Sequence, residues 1–203
     1  MESLRFWYDY FMAHHVIYIP GVRDYRPYGQ NIVIQLWRIF GLRPHYVPLG
    51  WDKKEGYSVK QARLTGLIDD LHRNGNSVSL IGVSAGASAA LNAYAASENV
   101  FKVICISGKI NNWQTIGRKT FERNPDFEES VKNLCCSLES MGHTKITNIM
   151  SIHPWKDQTV PIADTIITGA KEKTLPGWNH VTGIFFGITL GALPIASFIY
   201  SRV

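Results

Sequence analysis

A chain of 203 residues with 45% hydrophobic content carries enough apolar material for one substantial core, which excludes an extended disordered polymer. The formal net charge of +5 comes from 21 Lys and Arg against 16 Asp and Glu spread along the chain, so a solvated basic surface is expected and no nucleic-acid stripe. Three cysteines, two of them the adjacent Cys135 and Cys136, form no disulfide framework, and no C-x-x-C or H-E-x-x-H pattern occurs; a reducing, cytoplasmic compartment and no metal or other cofactor are expected.

Residues 1–11 carry acidic groups and no continuous apolar run, so they do not read as a secretory signal. Residues 16–19 predict a short strand ended by Pro20-Gly21, followed by a polar, aromatic loop over 23–29. The apolar spacing over 31–40 predicts a helix that Gly41 stops, and 45–49 predict the next strand. A charged connection then leads to a helix over 59–73, whose stripe is Ala62, Leu64, Leu67, Ile68 and Leu71. Asn74-Gly75-Asn76 turns the chain into a strand over 77–82.

That strand runs directly into Gly82-Val83-Ser84-Ala85-Gly86, a G-x-S-x-G pattern followed by small residues suited to a closely packed helix over 85–96. Ser84 on a tight strand-to-helix turn would expose its hydroxyl, while Gly82 and Gly86 remove side chains where the turn and the helix would collide. Without chemistry, the same residues would form only a Gly/Ser-rich turn.

Residues 101–106 predict another strand. Repeated strand–helix–strand units imply a parallel sheet covered on both faces, with ligands at the carboxyl ends of the strands. Residues 108–144 break the alternation as a small helical excursion, either a lid or an ordinary crossover helix with a long loop. Strands over 145–152 and 164–168 are expected next, with an ionisable loop over 151–161 between them. Residues 181–200 contain no charged residue, but Gly183, Gly187, Gly191 and Pro194 interrupt them. They read as a pair of buried segments behind the site, in preference to peripheral membrane contact. No internal repeat appears, and residues 1–203 are expected to form one domain.

A reactive serine needs a base, and the base needs an orienting carboxylate. Asp157 and His180 follow successive late strands, so both should arrive at the sheet edge that carries Ser84. His153, His143 and the His14-His15 pair are the weaker choices for the base, and Asp164 and Asp126 compete for the acid. Two backbone donors are needed for the oxyanion: Ala85 offers one, and Val22 is the expected second, with Gly21 permitting close approach. Tyr25, Tyr28, Trp113, Trp155 and Trp178 flank these loops as substrate-contact candidates, with local packing as the plainer reading.

Gly82-Val83-Ser84-Ala85-Gly86, Asp157 followed by Val160-Pro161, and Asn179-His180 together resemble the alpha/beta-hydrolase superfamily, in particular its small serine esterases and lipases, over nearly the whole chain. The resemblance implies an α/β fold of three layers with a mostly parallel central sheet, shortened at the amino-terminal side because Pro20-Gly21 comes so early. It also implies a triad of Ser84, Asp157 and His180. Pro20-Gly21 stands where many relatives have His-Gly, and Asn179 where a Gly more often precedes the histidine. The expected activity is hydrolysis of a small-molecule carboxylic ester or thioester through an acyl-Ser84 intermediate. The alternative is a catalytically silent domain of the same fold that holds a ligand or a protein.

Overall fold

The computed structural model describes residues 14–201. The reading of residues 1–11 falls outside them. Six strands, β1 (His14–Ile19), β2 (Leu42–Tyr46), β3 (Ser77–Val83), β4 (Val103–Ile106), β5 (Ile149–Pro154) and β6 (Lys171–Leu175), form one sheet in the order β2-β1-β3-β4-β5-β6. Every neighbouring pair is parallel. The chain leaves β1 toward one edge to make β2, then returns past β1 to make β3. The crevice beyond the carboxyl ends of β1 and β3 is therefore the point where the order reverses, the usual ligand position in such sheets.

Strand periodicity divides the interior. Ile17, Ile19, Leu80 and Cys105 face one cluster, and Val16, Tyr18, Ile81 and Ile104 face the other. The first cluster is closed by α2 (Tyr57–Arg73), α3 (Gly86–Ala96) and α5 (Pro125–Ser140). The second is closed by the 3-10 helix Ile34–Phe40, α7 (His180–Ile188) and α8 (Ala192–Tyr200). Trp37 Nε1 donates to the Ile188 carbonyl at 2.9 Å, fastening the 3-10 helix to α7. The expected three layers are present.

The segment over 108–144 is part of the crossover between β4 and β5 and holds α4 (Arg118–Arg123) and all of α5. Helix α5 buries Phe127, Ser130, Val131 and Leu134. Ser130 Oγ lies 2.7 Å from Ser88 Oγ, and Asn92 Nδ2 donates to the Ser130 carbonyl at 2.9 Å, so α5 is fixed to α3 by buried polar pairs as well as by apolar packing.

Several elements differ from expectation. The predicted helix over 31–40 is a short α1 (Gln30–Val33) that tightens into the 3-10 helix. Strand β2 begins upstream of the predicted 45–49, and the first part of the predicted strand over 145–152 is helix α6 (His143–Thr147). The predicted strand over 164–168 does not form: Ile162–Asp164 is a 3-10 turn, and the last strand is Lys171–Leu175. Asp164 is taken into a buried ion pair with Lys109, while β6 is an edge strand with only Leu175 buried, so it lacks an apolar signature. Its Lys171, Glu172 and Lys173, with Pro44 on the opposite edge strand, guard the two open edges of the sheet.

Candidate active site

Ser84 closes the turn between β3 and α3 with φ 51°, a left-handed backbone that costs a non-glycine residue on the order of 1–3 kcal/mol. The surroundings hold it there. Ser84 N–H donates to the Ile106 carbonyl at 2.9 Å, and its carbonyl accepts from Ala87 N–H at 3.1 Å. A Cβ on Gly82 would come 2.5 Å from Ala87 Cα, and one on Gly86 would collide with the Ile19 carbonyl. The two glycines thus let α3 start against β1 and β3, as the sequence predicts, and they force Ser84 to the apex.

Strand β5 delivers Asp157 and strand β6 delivers His180. His180 Nε2 lies 2.9 Å from Ser84 Oγ, and His180 Nδ1 lies 2.7 Å from Asp157 Oδ2. The Asp157 carboxylate is buried, and its Oδ1 accepts from the amides of Thr159 at 2.8 Å and Val160 at 2.9 Å. Burial alone would raise its pKa, but the His180 hydrogen bond, together with the two amides, outweighs burial and holds the carboxyl below its ordinary value. His180 sits at the start of α7, where Asn179 caps the helix. The Asn179 side chain accepts from Thr182 N–H at 2.9 Å, and Thr182 Oγ1 accepts from Asn179 N–H at 3.1 Å. Asn179, read in the sequence as a departure, fixes the direction in which the imidazole leaves the backbone. Lys156 N–H donates to the Gly177 carbonyl at 3.1 Å, joining the loop of the acid to the loop of the base.

The competing residues are engaged elsewhere. His153 is buried, with Nδ1 3.3 Å from the Pro154 carbonyl. His143 begins α6, and His14 and His15 begin β1, at the opposite end of that strand from Pro20-Gly21. His14 Nε2 lies 2.8 Å from Ser79 Oγ, and His15 Nδ1 lies 2.7 Å from His45 Nε2. Asp126 lies 3.1 Å from the fully buried Lys60 ammonium, and Asp164 faces Lys109. Among the described residues, no group of three or more His, Cys, Asp or Glu is arranged to hold a metal ion.

The loop after β1 abuts the serine: a Cβ on Gly21 would lie 2.9 Å from Ser84 Cβ. Neither the Val22 nor the Ala85 N–H is spent on another described residue. Two residues that the sequence did not single out hold this loop. Asp24 Oδ2 accepts from Gly50 N–H at 2.6 Å, and Trp51 Nε1 donates to the Pro20 carbonyl at 3.3 Å. Burial pushes the Asp24 carboxyl above its ordinary pKa against the pull of the amides. Both clamps come from the β2–α2 connection, and nothing in the spacing of loop residues 26 and 31 positions apart signals the pairing.

Of the aromatic candidates, Trp155 and Trp178 meet edge-to-face with ring centroids 5.9 Å apart on the two loops that carry Asp157 and His180. Tyr25 and Tyr28 are exposed on the loop after Gly21, with the Arg26 guanidinium over the Tyr25 ring. Trp113 packs against the α2/α3/α5 core and receives the Lys132 ammonium at 5.4 Å from its ring.

No family model and no curated protein sequence matches the chain. Solved structures do. Est1E from Butyrivibrio proteoclasticus superposes with a TM-score of 0.65 at 13% identity, covering 93% of this chain and 87% of that one. The esterase domain of a Rhodothermus marinus protein gives 0.62 at 12% identity over 91% and 87%, respectively. A dienelactone hydrolase from Anabaena variabilis gives 0.60 at 18% identity over 93% and 86%. At such identities the likeness is one of fold, and the chemistry has to be read from the side chains.

Proposed function

We propose that this chain, an alpha/beta-hydrolase by fold with a serine-hydrolase-type site, cleaves a carboxylic ester or thioester through an acyl-Ser84 intermediate. The observation that carries this reading is the continuous relay from Asp157 Oδ2 to His180 Nδ1 at 2.7 Å and from His180 Nε2 to Ser84 Oγ at 2.9 Å, ending on a serine at φ 51°.

His180, neutral with its proton on Nδ1, takes the Ser84 proton on Nε2 as Oγ bonds to the substrate carbonyl carbon. The carbonyl π electrons move to oxygen, and the resulting anion faces the amides of Ala85 and Val22 and the amino-terminal end of α3. Asp157 stabilises the imidazolium without taking its proton. Collapse of the tetrahedral centre breaks the bond to the leaving alkoxide or thiolate, which His180 protonates. A water molecule, deprotonated by His180, then attacks the acyl carbon, and Ser84 leaves with its proton restored.

The leaving alkoxide or thiolate takes at most one proton, which His180 can supply. A reducing, cytoplasmic location is part of the same proposal, supported by three cysteines that are all free thiols. The test is labelling with a fluorophosphonate, mapping of the modified peptide, and turnover of p-nitrophenyl and thioester substrates. Adduct on Ser84 with burst kinetics is expected; a folded protein that neither labels nor turns over would instead be a binding domain.

A further inference from the structure

Helix α7 is oriented against the habit of a surface helix. Its buried positions are Gly183, Gly187 and Ile188: Gly183 is seated against Pro154, and a Cβ on Gly187 would come 2.5 Å from Ile106 Cγ2. Glycines let the helix sit close to the sheet, and the bulky apolar residues consequently point outward. Val181 is 75% exposed and Phe185 51%. A helix that met only water would carry charge on that face, but residues 174–201 contain no Asp, Glu, Lys or Arg.

The outward rings are ordered by one another. Trp155 meets Trp178, Trp178 meets Phe186 at 6.4 Å between centroids, and Phe186 meets Phe185 at 5.4 Å, each pair edge-to-face. Trp155 and Trp178 remain 57% and 60% exposed. This continuous aromatic ridge spans the loops of Asp157 and His180. The charges left exposed on the loops around the site are basic: Lys156 follows Trp155, and the loop that abuts Ser84 carries the exposed Arg23 and Arg26, while Asp24 and the Asp157 carboxylate are buried.

We propose that this ridge is a docking surface for an anionic phospholipid bilayer. Tryptophan rings with an apolar body and an indole N–H favour the headgroup boundary, and flanking Lys and Arg are drawn to anionic headgroups. A second copy of the chain is a poorer occupant, since a two-fold contact would set these bases against their own images. The ridge lies on the bilayer and does not span it. No single described helix is long and apolar enough to cross, α7 and α8 are bent by 55° at their junction, and their inner faces are committed to the core through Ile188, Ile195 and Ile199. The surface stands independently of turnover, so its failure and the failure of the hydrolase reading are separately visible.

The experiment is flotation with phosphatidylcholine vesicles, with and without phosphatidylserine, read together with tryptophan emission and quenching by bromine-labelled lipid. Wild type and Ser84→Ala should float equally with the anionic vesicles, with blue-shifted, quenched emission and weaker binding at high salt. Phe185→Ser with Val181→Ser, and separately Lys156→Glu, should lower partitioning by roughly tenfold while far-UV circular dichroism is unchanged. Absence of wild-type flotation and quenching at low salt overturns the proposal without recourse to any variant. So does equal binding to neutral vesicles, undiminished binding by the folded serine variants, or a dimer in sedimentation that Phe185→Ser dissociates.

Discussion

Gly21 and Ser84 occupy adjoining space: a methyl group on Gly21 would stand 2.9 Å from Ser84 Cβ and 3.4 Å from Ser84 Oγ. The loop proposed to offer Val22 N–H to the oxyanion lies as near to Ser84 as a backbone without a side chain permits. Gly21→Ala should therefore push loop and serine apart by a few tenths of an ångström. Since loss of an oxyanion donor costs about 10²–10³ in kcat, a fall of about 10–100-fold is expected, with KM little changed. Steady-state kinetics beside a thermal melt would check this; a variant with wild-type kcat would remove Val22 from the oxyanion site.

Strain at Ser84 predicts opposite effects on stability and activity. Ser84→Gly relieves the left-handed backbone and should raise stability by about 1 kcal/mol, or roughly 2–4 °C in Tm for a chain of this size, while abolishing fluorophosphonate labelling. Ser84→Ala retains the backbone penalty and should abolish labelling without the gain in Tm. Differential scanning fluorimetry on the two variants separates the contributions of backbone and hydroxyl.

The two late aspartates should exchange phenotypes. Asp157→Asn leaves His180 in the wrong tautomer, and a loss of about 10³–10⁴ in kcat with a modest change in Tm is expected. Asp164→Asn leaves the Lys109 ammonium buried without its counter-charge, a defect typically worth about 3–5 kcal/mol, with kcat retained below the lowered Tm. If Asp164→Asn instead abolished turnover and Asp157→Asn did not, the acid assignment would be reversed.

Acid should loosen the fold through its buried imidazoles. Burial, followed by the nearby charges of His15 and Lys102, lowers His14 from 6.5 to about 4, and burial first also lowers His15 and His45. Between these two values the unfolded chain binds a proton that the folded chain refuses, so stability is full above about pH 6.5 and declines as pH falls toward 4. For His14 the decline is on the order of 3 kcal/mol at about 1.4 kcal/mol per unit. Urea unfolding at neutral and mildly acidic pH should show the slope, and His14→Gln, which keeps a partner for Ser79, should flatten it.

What could be read in the sequence follows where burial leaves a mark. Strand β3 is apolar because both of its faces are covered, and Gly82 and Gly86 are required by contacts that any reader of the motif would anticipate; Asp157 and His180 followed from topology. Strand β6 carries no apolar signature, being an edge strand with a single buried residue, and the pairing of Asp164 with Lys109 spans 55 positions, beyond the reach of local patterning. The clamps on the Gly21 loop, Asp24 to Gly50 and Trp51 to Pro20, join two irregular segments whose residues have no periodicity to betray them.

The Ser84–His180 hydrogen bond closes a separation of 96 residues, and the histidine is carried by the segment that follows the outermost strand. A chain still adding its last strand therefore holds a serine without a base. On the proposed mechanism, reactivity arrives only when the sheet is complete, so covalent labelling of Ser84 would serve as a stringent assay of finished folding.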